Sequence, residues 1–193
     1  MAAPAIRVLM ISGSLRAGSV NTAVLTTAGS LAGDGVETSL YGGMGELPPF
    51  NPDDDPDGGP VDGRVAELRR RIGEADALLV CTPEYAGALP GSFKNLLDWT
   101  IGGGEMWGKP VAWINASSRP DAGGAAGAHE SLRAALGYTG SEVVEDACRR
   151  IVVPRSAISP DGVVSDQDMR ATIAEALTAL CGHAAAARSA GSA

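Results

Sequence analysis

The sequence predicts an α/β fold in which a five-stranded parallel sheet lies between two layers of helices. Three observations predict it. Short, nearly unbroken apolar runs alternate along the chain with stretches whose apolar residues recur every three to four positions. The clearest of these runs pass directly into loops of small or turn-forming residues, as strands buried on both faces do. The 193 residues, 45% hydrophobic and 20% charged, suit one domain around one sizeable core. That domain is expected to span residues 1–187, with a frayed tail at 188–193.

Residues 5–11 (AIRVLMI) read as the first strand, and a central one. From Ser19, a good N-cap residue, Val20, Ala23, Val24, Thr27 and Leu31 recur at helical spacing until Gly33 and Gly35 stop the pattern. Residues 36–41 form a shorter second strand. Residues 42–60, rich in Gly, Pro and Asp, make an irregular connection of the length that is usually functional or disordered. Residues 64–73 carry a helix with Val61, Val65, Leu68 and Ile72 inward and Arg69, Arg70 and Arg71 round its solvent side. Residues 77–81 (ALLVC) are the third strand, with Cys81 a packed thiol. In the next helix Phe93, Leu96, Leu97 and Ile101 share one side, and Gly102-Gly103-Gly104 ends it.

The fourth strand is at 111–115, followed by a loop at 116–124 and a helix at about 125–136 with Ala125, His129, Leu132 and Leu136 on one stripe. Residues 141–144 give a fifth strand, 151–153 a second extended piece, and Ser159-Pro160-Asp161-Gly162 a turn. Asp166 caps a last helix with Met169, Ile173, Leu177 and Leu180 inward.

Composition excludes several functions. A net charge of -8 repels a phosphate backbone, so nucleic acid is not an expected partner. Cys81, Cys148 and Cys181 lie far apart without interleaved histidines, which speaks against a disulfide framework or a zinc site. Asp53, Asp54 and Asp55 lack the spacing of a calcium loop and read as solvated carboxylates. His129, on an apolar stripe, reads as a packing residue rather than a proton donor. No apolar run is long enough to span a bilayer, so no membrane partner and a cytoplasmic location are expected.

The loop after the first strand carries the chemistry. Ser12, Ser14 and Ser19 offer hydroxyls, Arg16 a planar fork of donors, and Gly13 and Gly18 let backbone amides turn inward. A phosphate held there would face the positive end of a helix. The spacing matches neither the P-loop nor the dinucleotide fingerprint, and no lysine is present to reach a triphosphate, so a monophosphate fits better. The same residues also suit an ordinary turn into a capped helix.

Residues 13–21 (GSLRAGSVN) resemble the GSxRxxSxN signature of the NADPH-dependent FMN reductase family, flavodoxin-like flavoproteins that include quinone, chromate and azo-dye reductases. Residues 83–99 (PEYAGALPGSFKNLLDW) are similar to its second signature, PEYNxxxPGxLKNxxDW. The likeness spans roughly residues 6–154. It implies a flavodoxin-like three-layer sandwich with strand order 2-1-3-4-5, FMN as cofactor and NADPH or NADH as co-substrate. It further implies an FMN phosphate held by Ser12 or Ser14, Arg16, Ser19, Val20 and Asn21. Pro83, Glu84, Tyr85, Ala86 and Gly87 would border the isoalloxazine ring, and Ser117, Ser118, Gly123 and Gly124 would close its pyrimidine side. Ala86 stands where the family commonly has Asn, so one polar side chain beside the cofactor would be missing. Trp99, Trp107 and Phe93 are left as core, interface or site wall, with a homodimer or homotetramer implied.

The expected function is electron transfer from NAD(P)H through FMN to a small acceptor such as a quinone, azo compound, metal oxyanion or free flavin. No separate general acid or base is required, because the flavin carries the difficult chemistry. Two other readings remain open: a flavodoxin-type carrier not reduced by NAD(P)H, and a non-catalytic flavin-binding or assembly module.

Overall fold

The computed structural model describes residues 4–117 and 125–191. Four strands, β1 (Ile6–Ser12), β2 (Val36–Tyr41), β3 (Ala77–Cys81) and β4 (Pro110–Ser117), lie at the expected places. Helices α1 (Val20–Ser30), α2 (Gly63–Glu74), α3 (Gly91–Asp98), α4 (Ala126–Tyr138) and α5 (Gln167–Gly191) connect or follow them. With β5 (Glu142–Val143) and β6 (Arg149–Val152), the sheet runs β2-β1-β3-β4-β5, and β6 also pairs with β4. Every pairing is parallel. This is the flavodoxin-like order.

Alternation along the strands builds the two cores. Val8, Met10, Ala77, Leu79, Cys81, Ala112 and Ile114 point to one face, where Val24 and Leu25 of α1 and Ile173, Leu177 and Leu180 of α5 cover them. Leu9, Ile11, Leu78, Val80, Val111 and Trp113 point to the other. There they meet Val65, Leu68 and Ile72 of α2, Phe93, Leu96 and Leu97 of α3, and Leu132 and Leu136 of α4. Both faces are covered, which is why the strands read as continuous apolar runs.

The structure departs from the sequence reading in four places. The fifth strand position is shared by two short strands. After β5 the chain makes a 3-10 turn (Glu145–Ala147) that buries Val144 and Ala147 in the α5-side core. It resumes beside β4 with the pairing offset enlarged by three residues. Helix α3 ends at Asp98, before the glycines, because Trp99 turns its fully buried indole inward to donate to the Pro48 carbonyl at 2.8 Å. Ile101, expected on the inner stripe, is therefore exposed.

Arg69 and Asp55 are not solvated. They pair at 2.7 Å with side chains 12% and 8% exposed, and Arg69 also donates to the Trp99 carbonyl. The connection at 42–60 is thus fastened rather than loose; Phe50 N–H donates to Asn95 Oδ1 at 2.7 Å, and Asn95 Nδ2 donates to the Pro48 carbonyl. Finally, α5 continues through Gly191, and Arg188 donates to the carbonyls of Pro4 and Ala5, so the frayed stretch expected from Arg188 is helical there. No helix among the described residues is long and apolar enough to cross a membrane.

Candidate active site

The chain winds away from β1 in both directions, to β2 and to β3, and the crevice where the winding reverses lies beyond the C-terminal ends of the strands. The loop that leaves β1 there is held by its own side chains. Gly13 N–H donates to the Cys81 carbonyl at 2.9 Å, and a Cβ at Gly13 would stand 2.2 Å from Thr82 Oγ1, so only glycine allows the loops after β1 and β3 to touch. Ser12 is buried, shares a 2.8 Å hydrogen bond with Thr22 and accepts from Ser14 N–H. Its hydroxyl therefore shapes the loop, whereas Ser14 lines the cleft and accepts from Arg16 N–H at 3.3 Å.

Ser19 enters α1 in an extended conformation and its side chain caps none of the first-turn amides. No acidic residue occupies that turn. The Arg16 guanidinium has no ion-pair or hydrogen-bond partner among the described residues. Uncapped amides, an unused hydroxyl and an unpaired guanidinium converge on one spot. They suit a phosphate monoester. Asn21 stands behind them, buried, accepting from the Cys81 thiol at 3.3 Å. That thiol is packed away from water, which pushes its pKa up to about 12.

The loop after β3 makes the second wall. Tyr85 and Ala88 exchange both backbone hydrogen bonds, closing a two-residue turn with φ of 51° at Ala86 and 76° at Gly87. Both central residues are left-handed, the geometry that favours Asn-Gly. Position 86 sits exposed at the tip of this turn, and the lining of the cleft includes Tyr85 but not Ala86 or Gly87. An asparagine at position 86 would serve the backbone. Glu84 Oε2 accepts from Ala128 N–H at 3.1 Å, placing a carboxylate on the N-terminus of α4. A Cβ at Gly127 would lie 2.1 Å from the Gly87 carbonyl oxygen, so the turn packs directly on α4.

The resulting cleft has a volume of about 250 Å³ and is lined by Ser14, Arg16, Ser19, Val20, Asn21, Pro83, Glu84 and Tyr85, together with Ala116, Ser117, Ala125 and Arg155. Ser118, Gly123 and Gly124 lie outside the described residues. Arg155, which carries no motif, is a residue the sequence reading missed. The signal available was its position just past the extended piece at 151–153, beyond the C-terminal end of a strand in an open sheet.

His129 lies one turn into α4. Its Nδ1 donates to the Ala125 carbonyl at 2.7 Å, and its ring lies 5.7 Å from that of Trp113, tilted by 42°. Burial depresses its pKa, so the neutral ring is favoured and it packs as expected. Phe93 and Trp99 are core, whereas Trp107 is 80% exposed.

An anion cradle and a rigid second loop at the switch point of a flavodoxin-like sheet define a mononucleotide-binding α/β protein. Residues 6–149 match the family described as NADPH-dependent FMN reductase. The chain is 36% identical over 177 residues to an NAD(P)H-dependent FMN reductase of Pseudomonas aeruginosa, covering 91% of this chain and 93% of that one. It is 32% identical to a 2-hydroxy-1,4-benzoquinone reductase of a Burkholderia species, over 86% of this chain and 89% of that one. Among solved structures it is similar to FerB, a flavoenzyme NAD(P)H:(acceptor) oxidoreductase of Paracoccus denitrificans. The TM-score is 0.72 at 28% identity, covering 93% of this chain and 97% of that one. The chain belongs to the NADPH-dependent FMN reductase family and is an oxidoreductase that uses FMN and NAD(P)H.

Proposed function

We propose that the chain acts as one FMN-binding domain, which extends past the expected boundary at 187 to the end of α5, and that it passes electrons from NAD(P)H to a quinone. FMN supplies hydride acceptance and two-electron delivery when bound. The chain supplies position. Ser14, Ser19, Val20, Asn21 and Arg16 hold the phosphate at the α1 N-terminus, while the Pro83–Tyr85 backbone and Ser117 border the ring. The observation that carries this reading is the convergence of Arg16, the Ser19 hydroxyl and the uncapped first turn of α1, whose donors have no side-chain partner among the described residues.

A quinone is favoured as acceptor because a flat ring can occupy the same face that receives the nicotinamide, and the 2-hydroxy-1,4-benzoquinone reductase shares most of its length with this chain. No dedicated acid or base is needed in the cleft. Glu84 is engaged by α4, and His129 is held neutral behind it. Exposed Leu15 and Tyr85 beside the cleft support a homodimer or homotetramer assembled near this face. The net charge of -8 supports an enzyme without a nucleic-acid partner, and the lack of a long apolar helix among the described residues supports a cytoplasmic location without a membrane partner.

Flavin fluorescence titration tests the site. Arg16→Ala is expected to weaken FMN binding by roughly 1.5–3 kcal/mol, the worth of a charge-assisted hydrogen bond, and to leave riboflavin binding unchanged. Equal FMN affinity in the variant and the parent protein would remove Arg16 from the phosphate site.

A further inference from the structure

The cleft holds a second guanidinium that no signature of the sequence announces. Arg155 opens the 3-10 turn Arg155–Ala157, directly after β6. Val153 N–H donates to the Ser117 carbonyl at 2.8 Å, so the chain crosses the C-terminal end of β4 immediately before Arg155. The segment that follows is tied to α1, the helix whose N-terminus forms the anion cradle. Val164 N–H donates to Thr27 Oγ1 at 2.8 Å, in a fully buried contact. Both ends of the Arg155 segment are thereby fixed to elements that build the cleft. Arg155 lines the cleft, and its side chain makes no ion pair or hydrogen bond among the described residues. Two neighbouring arginines differ, Arg133 being paired with Glu145 and Arg149 donating to the Asp146 carbonyl, and exposed Arg150 does not line the cleft.

We propose that Arg155 is a second phosphate-binding residue of the cleft, opposing Arg16 across a phosphate monoester. The inference rests on the reading of the cleft as an FMN and NAD(P)H site. A monoester carries close to two negative charges at neutral pH. Arg16 supplies one full countercharge and the α1 N-terminus a partial one. Glu84, the one carboxylate among the described residues that line the cleft, adds negative charge. A second cation therefore completes the balance. Two phosphate monoesters can enter this site, the 5′-phosphate of FMN and the 2′-phosphate that separates NADPH from NADH, and Arg155 binds one of them.

The test uses the full chain and its Arg155→Ala and Arg155→Lys variants, with Arg150→Ala as a neighbouring exposed control outside the cleft lining. Binding of FMN and riboflavin is measured by fluorescence quenching, and KM for NADPH and NADH by steady-state oxidation. In Arg155→Ala, FMN affinity falls about tenfold or more while riboflavin affinity holds, if the FMN phosphate is the ligand. If the ligand is the 2′-phosphate, KM rises by a similar factor for NADPH and stays constant for NADH. Arg155→Lys recovers part of either loss. The inference is overturned by a wild type that binds FMN together with an Arg155→Ala protein whose FMN affinity and NADPH preference are unchanged. Equal losses of FMN and riboflavin with no change in NADPH preference also overturn it, since they report a deformed cleft. A wild type that binds no flavin overturns the underlying reading, and this inference with it.

Discussion

Ala86 is the residue where sequence and geometry meet most informatively. Its φ of 51° costs an alanine about 1 kcal/mol relative to extended or helical backbone, and asparagine tolerates it better. Ala86→Asn should therefore raise unfolding free energy by roughly 0.5–1 kcal/mol. Urea denaturation measures it, and an unchanged or lower midpoint would show that the turn is not strained. His129 gives a pH signature. Its folded pKa lies below the 6.5 of the free side chain, chiefly through burial, so the unfolded chain binds a proton first as the solution is acidified. Stability should drop as pH falls through about 6.5, and His129→Gln should lose part of that slope. Parallel pH profiles for the two proteins would refute this. Arg16 and Ser19 could be placed at the cleft from sequence because their chemistry is local to one turn, and Asn21 through the family signature that spans it. Ser12 could not be assigned to loop support, because its partner Thr22 belongs to the following helix.

Among the elements, the connection at 42–60 is held by a buried ion pair together with the hydrogen bonds of Asn95 and Trp99. Arg69 joins Asp55 to the Trp99 carbonyl, and nothing in an Arg-Arg-Arg run tells which guanidinium turns inward. Arg69→Ala leaves a buried carboxylate and a carbonyl unanswered and should cost about 3–5 kcal/mol, whereas Arg70→Ala, on exposed i,i+3 and i,i+4 pairs, should change little. Thermal melts of both variants check the contrast; equal effects would mean that the pair is solvated. The strands β1 to β4 and all five helices were legible because periodicity and burial agree along them. The division between β5 and β6 was not, since it depends on how Val144 and Ala147 fill space beneath α5. The true end of α3 was hidden for a similar reason, being set by Trp99 reaching Pro48 across 51 residues.

At the scale of the whole molecule, the two cores hold the parallel strands so that the loops leaving β1 and β3 meet beyond their C-terminal ends, where the cleft lies. The family was legible because two motifs sit after the right strands. The second cation of the cleft was illegible because Arg155 comes from a distant segment that sequence order does not join to α1. A carrier and an enzyme share this scaffold, so the central claim concerns direct reduction by the nicotinamide. Anaerobic stopped-flow mixing of the FMN-loaded protein with NADPH tests it, followed by a second mix with benzoquinone. Loss of the oxidised flavin absorbance within seconds, and its return on quinone addition, is the predicted result. Flavin that stays oxidised over minutes of excess NADPH would contradict the account and leave an electron carrier in its place.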